Sequence, residues 1–181
     1  MCVTISRPQL FKEQENRNGK IDFVLTWVDG SDPDWLAQRR EYQPGRGTDA
    51  GESRYRDWDN LQYWFRGVEK FAPWVNKIYF VTWGHVPKWL NTAHEKIQIV
   101  KHEDFMAPAY LPTFNINSIE LNLHRIKGLS EHFVFFNDDM FLIDFVRPED
   151  FFKNGFPCDC CIETALVQDN IRNPFANISY E

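Results

Sequence analysis

Nine residues decide the fold of this chain: Phe133-Val134-Phe135-Phe136-Asn137-Asp138-Asp139-Met140-Phe141. The first four are apolar and rich in phenylalanine, which predicts a buried strand. The acidic pair that follows is of a residue type that rarely serves packing. In open α/β sheets, ligands bind in the crevice beyond the carboxyl ends of the strands. The junction therefore predicts a ligand site at the end of a buried strand.

The polar side chains at this junction carry oxygen atoms that suit Mg²⁺ or Mn²⁺ bound to the phosphates of a nucleotide. If the strand continues through Asp139, alternation places Asn137 and Asp139 on one side and Asp138 on the other. Asp139 is then the first choice as a direct metal ligand, and Asp138 is a water-mediated ligand or a structural acceptor. The alternative is a solvated turn. The aromatic residues on both sides argue against that alternative.

Length and composition predict one domain with a sizeable core. The chain has 181 residues, 16 of them Phe and 7 Trp, and a net charge of -6. This charge argues against nucleic-acid binding, which needs a basic face. The sequence has neither a long apolar run that would span a membrane nor a secretory signal, so we expect a cytoplasmic protein. Residues 1–20 are expected to form a flexible arm, and residues 21–181 the domain.

Apolar runs predict further strands over residues 21–28, 77–83 and 97–100. Apolar spacing predicts one helix from near residue 57 to residue 72, and another over residues 118–127. Strands that alternate with helices indicate an α/β fold with a mostly parallel sheet covered on both faces.

Polar residues at two other places are candidates for chemistry. Asp29 and Asp32 follow the first strand, where they could contact a nucleotide or form a turn. No Gly-rich phosphate loop accompanies them. Asn117, Glu120 and His124 are spaced so that one helix would present them as a single polar stripe. That stripe suits hydroxyl binding and proton transfer, or it is a solvated face.

Two more segments leave alternatives open. Arg56 and Asp57 stand between a Gly-rich stretch and a predicted helix start, where they could hold phosphates or cap the helix. Cys158 and Cys161 have metal-site spacing, but no second pair follows, so reduced thiols are preferred over a structural zinc.

Several ordered motifs resemble those of the Stealth family, whose bacterial members transfer sugar 1-phosphates in the synthesis of capsular and other cell-surface polysaccharides. The first is Ile21-Asp22-Phe23-Val24-Leu25-Thr26-Trp27-Val28-Asp29-Gly30-Ser31-Asp32-Pro33. The others include Tyr55-Arg56-Asp57-Trp58-Asp59-Asn60-Leu61, Val86-Pro87-Lys88-Trp89-Leu90-Asn91, Leu111-Pro112-Thr113-Phe114-Asn115 and Phe136-Asn137-Asp138-Asp139-Met140-Phe141. The lysosomal-targeting N-acetylglucosamine-1-phosphotransferase of animals is similar in the same blocks.

The resemblance implies transfer of a hexose 1-phosphate from a UDP-sugar to a hydroxyl of a glycan acceptor, with release of UMP. It also implies a Rossmann-like, glycosyltransferase-A-like core, and Mg²⁺ or Mn²⁺ at Asp138 and Asp139. The expected location is the cytoplasm, either free in solution or peripheral to the inner face of the membrane. The expected nucleotide-sugar contacts are Thr26, Trp27, Val28, Asp29, Gly30, Arg56, Asp57 and Asn137. Asn117 and Glu120 are expected at the sugar, and His124 as general base.

Family members continue through two further blocks, whereas this chain stops at Glu181. We therefore expect an N-terminal portion of a family member, with an acceptor wall missing and a tendency to self-associate through exposed apolar surface. Two alternatives remain open. One is a metal-dependent glycosyltransferase that attacks the anomeric carbon, and the other is a catalytically incomplete nucleotide-sugar-binding fragment.

Overall fold

A computed structural model describes residues 19–42 and 58–159 of the chain. Four strands form one parallel sheet: β1 (Ile21–Thr26), β2 (Ile78–Thr82), β3 (Ile97–Lys101) and β4 (His132–Phe136). The strand order is β3-β2-β1-β4. The predicted α/β class with a mostly parallel sheet is confirmed, and the strands begin and end within two residues of their predicted limits.

Helices and short turns connect these strands. The helices are α1 (Pro33–Tyr42), α2 (Leu61–Phe71), α3 (Ile116–Glu120) and α4 (Pro148–Phe151). 3-10 turns cover His102–Asp104, Pro108–Tyr110 and Leu123–Arg125. A small antiparallel hairpin, β5 (Phe152–Lys153) and β6 (Phe156–Pro157), follows α4. Within the described residues, no helix has the length and apolar character needed to cross a bilayer.

A hydrophobic cluster covers each face of the sheet, so the central strands β1 and β2 are buried throughout. Alternation along β1 sends Phe23 and Leu25 to one face and Val24 to the other. The first two pack with Trp64 of α2 and Phe136 of β4. On the opposite face, Val24 packs in a second cluster with residues of the β3–β4 connection. Near-continuous hydrophobic strands are typical of such doubly covered parallel sheets.

Helix α2 confirms the predicted apolar stripe, but it begins at Leu61 and not near residue 57. Its buried residues are Leu61, Trp64, Gly67 and Val68. It ends at Phe71, and the N–H of Ala72 still donates to the carbonyl of Val68 (2.9 Å). Pro73 cannot continue the helical hydrogen bonding, which gives the helix its limit.

The helix predicted over residues 118–127 is wrong. Helix α3 ends at Glu120, because the side chain of Asn122 donates to the carbonyl of Ser118 (2.8 Å), the acceptor that its own backbone N–H would use in an α-helix. That N–H donates instead to Ile119 (3.0 Å), and the chain tightens into 3-10 geometry. Asn117, Glu120 and His124 therefore do not lie on one continuous helix.

Candidate active site at the upper edge of the sheet

The carboxyl ends of the four strands, which we call the upper edge, hold most of the predicted site residues. Successive connections add β2 and β3 on one side of β1, whereas β4 lies on its other side. The topology thus reverses between β1 and β4. Leu25 pairs with Phe136, so the segments after these two residues leave the sheet side by side. Such a reversal point opens the crevice where open α/β sheets bind ligands.

The segment after β1 forms a fixed turn. Thr26 is buried, and Trp27, Val28, Asp29 and Gly30 are half-buried. The carboxylate of Asp29 accepts hydrogen bonds from the backbone N–H of Ser31 (2.9 Å) and from its hydroxyl (2.6 Å). The sequence offered two alternatives for this segment, a turn or a nucleotide contact. The turn is present, and it lies at the crevice where a ligand would bind, so the two alternatives are compatible.

Asp32 caps helix α1. Its Oδ1 accepts from the backbone N–H groups of Asp34 (3.0 Å) and Trp35 (2.9 Å), two donors that the first turn of a helix leaves without partners. The helix start is fixed to the end of β1 by this cap. Asp32 thus has a structural role, as the turn alternative predicted.

His85, from the loop after β2, joins the two acids of this turn. Its Nε2 accepts a hydrogen bond from the backbone N–H of Asp29 (2.8 Å). In the neutral ring the proton is then on Nδ1, which lies 3.6 Å from Oδ2 of Asp32. The ring also contacts Trp27 edge-on, with centroids 5.3 Å apart. The loop after β2 thereby fixes the backbone that was predicted to contact the nucleotide.

The electrostatics keep Asp29 ionised. Burial opposes its charge and by itself would raise the pKa, but the hydrogen bonds from the Ser31 hydroxyl and backbone N–H, with the His85 ring, outweigh that effect. The pKa of Asp29 therefore lies below the usual value for an aspartate. At neutral pH this turn carries a negative charge at the upper edge of the sheet.

The acidic residues after β4 lie in a turn. The strand ends at Phe136, and the N–H of Met140 donates to the carbonyl of Asn137 (3.2 Å). The condition for alternation from Asn137 to Asp139, a strand that continues through Asp139, is not met, because the backbone leaves the extended conformation directly after Phe136. All three polar side chains are exposed. Within the described residues, the carboxylate of Asp139 makes no hydrogen bond or ion pair.

The chain beyond the acid turn is held against α2. A Cβ on Gly67 of α2 would lie 3.1 Å from the backbone carbonyl of Leu142, so the glycine permits this close approach. Further along, the N–H of Val146 donates to the carbonyl of Phe71 (3.1 Å), and the indole of Trp74 donates to the carbonyl of Val146 (2.8 Å). The acid turn is thus anchored on both sides, by β4 before it and by α2 after it.

The remaining predicted residues are placed less closely together. Asn117 lies in the first turn of α3, where its N–H donates to the side chain of Asn115 (3.0 Å). Glu120 ends that helix, and His124 is exposed on the following 3-10 turn. The roles of these three residues at the sugar and in proton transfer stay predictions. Arg56 and Asp57 lie outside the described residues, as do Cys160, Cys161 and nearly all of the predicted N-terminal arm.

The donor set at the acid turn fits a small divalent cation. Among the described residues, no group of three or more His, Cys, Asp or Glu side chains converges on one point. Mg²⁺ does not require such a cage, because it usually takes one or two carboxylates, substrate phosphates and water. The exposed side chains of Asp138 and Asp139 supply up to two such carboxylates.

Comparison of the sequence with known proteins identifies the family of this chain. The family model described as Stealth protein CR2, conserved region 2, matches residues 54–158, and that for CR1, conserved region 1, matches residues 19–47. The chain belongs to the Stealth family. The matched regions contain the turn after β1, helix α2 and the acid turn, so the resemblance seen in the sequence motifs is confirmed.

Relatives in this family carry names that refer to polysaccharide phosphotransfer. A capsular polysaccharide phosphotransferase WcwK of Streptococcus pneumoniae is 58% identical over 139 residues, or 76% of this chain and 42% of the relative. CpsJ of Streptococcus thermophilus, with the same descriptive name, is 52% identical over 151 residues, 81% of this chain and 63% of the relative. The receptor polysaccharide phosphotransferase WefC of Streptococcus oralis is 54% identical over 143 residues, 76% and 43%. The chain spans about half the length of these relatives.

Sequence reasoning missed three polar residues of this Stealth chain. Asp22 lies inside an apolar run, His85 in a short loop, and His102 just after β3. An acid within a run of strand residues is itself a signal, since a fully buried charge must be paired. His85 gave no such signal, because its partners are 53 and 56 positions away in the sequence.

Proposed function

We propose that this chain carries the donor site of a phosphotransferase that moves a hexose 1-phosphate from a UDP-sugar to a hydroxyl of a glycan acceptor, in capsular or extracellular polysaccharide synthesis. The observation that carries the proposal is the pairing at the upper edge: a rigid turn after β1 beside an exposed acidic turn after β4. The names of the relatives support the same reaction class.

The reaction fixes what the site must do. The oxygen of the acceptor hydroxyl attacks the β-phosphorus, which carries the sugar. A new P–O bond forms, the bond from that phosphorus to the bridging oxygen breaks, and the electron pair leaves with UMP. The hydroxyl proton passes to a base, for which His124 remains the candidate. Such transfers depend mainly on positioning and on stabilising charge at the phosphate oxygens.

Each part of the upper edge has a proposed role. Asp139, with Asp138, would hold Mg²⁺ or Mn²⁺, which neutralises the diphosphate. The backbone after β1, held by His85, would receive the uridine, and Asn137 would donate from its amide to a phosphate or sugar oxygen. Arg56 and Asp57 would complete the nucleotide contacts. Asn117 and Glu120 would bind sugar hydroxyls.

The nucleotide product tests this proposal. The protein is incubated with UDP-glucose, UDP-galactose or UDP-N-acetylglucosamine, Mg²⁺ and membranes from a capsule-forming streptococcus, and the Asp139→Asn variant is the background control. We expect a low rate of UMP formation, above that background, with at least one donor. UDP as the product would mean attack on the anomeric carbon, and donor binding with neither product would mean a binding module. Either result would overturn the proposal.

The partners and place of the reaction follow from the donor. A UDP-sugar and a glycan acceptor are the proposed ligands, and nucleic acid is not among them. We propose a cytoplasmic location, at or near the inner face of the membrane, where the protein would have access to both the UDP-sugar and the glycan acceptor. Self-association stays a prediction, which the sedimentation behaviour of the purified chain would test.

A further inference from the structure

A second cleft lies on the α2 side of the sheet, away from the acid turn. Its volume is about 440 Å³, and its walls come from α2 and from the connection between β2 and β3. That connection, residues 83–96, crosses from the upper edge to the lower one without a helix. Parallel strands are usually joined by a helix that fills the adjacent groove. Here an irregular segment replaces the helix and leaves a space that α2 does not fill.

The floor of the cleft is apolar and aromatic. Phe65 and Trp89 line it, with ring centroids 5.7 Å apart in an edge-to-face arrangement. Phe65 in turn contacts the core residue Phe80 (5.7 Å). Trp89 nevertheless remains 41% exposed. A large ring that is held by the core yet left open to solvent is an apolar contact surface for a ligand.

The rim of the cleft is polar: two of its cations are already engaged, and the Glu69 carboxylate also lines it. The Lys96 ammonium donates to the carbonyl of Pro73 (2.8 Å), and the Arg66 guanidinium lies over the ring of Tyr63 (5.5 Å). Gln62 and Asn91 contribute neutral amides to the rim. Amides both donate and accept hydrogen bonds, which suits hydroxyl groups better than it suits an anion.

The cleft and the candidate active site share one face of the sheet. Trp27, at the end of β1, stacks on Phe80 with centroids 5.8 Å apart, and Phe80 leads through Phe65 to Trp89. Two ring contacts therefore separate Trp27, a proposed uridine contact, from Phe65 in the cleft wall. A chain of sugar units that leaves the upper edge on this face would pass the cleft.

We propose that this cleft binds a sugar unit of the glycan acceptor, remote from the reacting hydroxyl. A pyranose ring has an apolar face of C–H groups and a rim of hydroxyls, which match the aromatic floor and the amide rim. The assignment to the acceptor rests on the proposed function, whereas sugar binding itself does not. Each sugar held here would raise acceptor affinity without entering the chemical step.

Sugar binding can be measured without turnover. The indole N–H signal of Trp89, assigned by its loss in Trp89→Ala, is followed by NMR as methyl glycosides of glucose, galactose, N-acetylglucosamine and rhamnose, and lactose, are added to the 181-residue chain. We expect at least one probe to shift this signal with a dissociation constant in the millimolar range. By the same signal, Gln62→Ala should bind that probe at least tenfold more weakly. In Trp89→Ala, which lacks the signal, binding followed by saturation-transfer NMR on the probe should weaken by the same factor.

Tyr110→Ala is the matched control, because Tyr110 is an exposed aromatic residue in a 3-10 turn of the β3–β4 connection, outside the cleft. Its sugar affinity should equal that of the wild type, and UDP affinity should be unchanged in all three variants. No shift with any probe, or an equal loss in Tyr110→Ala, would overturn the cleft assignment. Sugar binding at Trp89 without UMP formation would overturn the phosphotransferase proposal and leave the sugar site intact.

Discussion

Two acidic residues of the same sheet, Asp22 and Asp139, have opposite surroundings. Asp22, in β1 near the lower edge, is fully buried. Its carboxylate accepts from the side chain of Asn76 (2.6 Å), the N–H of Lys77 (3.1 Å) and the N–H of Ser130 (2.8 Å). Asp139, beyond the upper edge, is exposed. The carboxylate of Asp22 is engaged in hydrogen bonds that stabilise the fold, whereas that of Asp139 is accessible to a ligand.

The lower acid joins three parts of the chain. Asn76 and Lys77 precede β2, and Ser130 precedes β4, so one carboxylate holds the entries of both strands that flank β1. The hydroxyl of Tyr79 donates to the carbonyl of Gly128 on the same face. Burial, and then the charge of Asp22, raise the pKa of Tyr79. The lower edge is thus a fixed polar network, and the strand entries hold the upper edge in register.

Replacing the exposed acid should have the largest effect on activity. Asp139→Asn keeps the shape of the side chain but removes its charge, and we expect a loss of transfer rate of about a thousandfold or more. The free energy of unfolding should change by less than about 0.5 kcal/mol, since an exposed side chain is altered. Steady-state UMP formation at limiting Mg²⁺ and urea unfolding measure the two effects. Wild-type turnover would contradict the ligand role.

Replacing the buried acid should reverse this pattern. Asp22→Asn presents an amide to three donors that need acceptors, and we expect the free energy of unfolding to fall by about 3 kcal/mol. Urea unfolding monitored by circular dichroism tests this, with Asp139→Asn as the matched control. At a temperature where the variant is folded, its rate should fall far less than that of the control. Equal unfolding free energies for the two variants would contradict the structural role of Asp22.

A smaller, pH-dependent effect is expected from His102, which follows β3. Burial, and then the nearby His85, lower its pKa from 6.5 to about 4. The unfolded chain therefore binds more protons between these two pH values, and stability should fall as the pH falls through that window. The loss at acid pH should be on the order of 2 kcal/mol, and it should disappear in His102→Gln. Urea unfolding at pH 7 and pH 4.5 measures it, and an identical pH dependence in the variant would contradict this origin.

Runs of apolar residues predicted the four strands and α2, because a doubly covered parallel sheet needs them. The same patterns failed where polar side chains compete with the backbone. Asn122 takes the carbonyl that would have extended α3. The fourth strand, by contrast, ends at Phe136 as predicted. Helix α1 was missed because only Trp35 and Arg39 on it are buried, too few for a recognisable stripe.

The sequence predicted the residues at the strand ends of the candidate site better than the contacts that hold them in place. Asp29 and the acids after Phe136 were found because each follows an apolar strand. The register that brings the two segments together, and the ring of His85 between Asp29 and Asp32, depend on contacts between distant parts of the sequence. Spacing along the chain carries no information about such contacts.

We propose that the turn after β1 and the acid turn form one site for a divalent cation and a nucleotide diphosphate. Mn²⁺ can be used as a paramagnetic probe, added at substoichiometric amounts with UDP to the ¹⁵N-labelled chain. We expect the amide signals of residues 27–30 and 137–140 to broaden together, only when UDP is present, and we expect Asp139→Asn to abolish the effect. Broadening confined to other acidic segments, or unchanged in the variant, would contradict it.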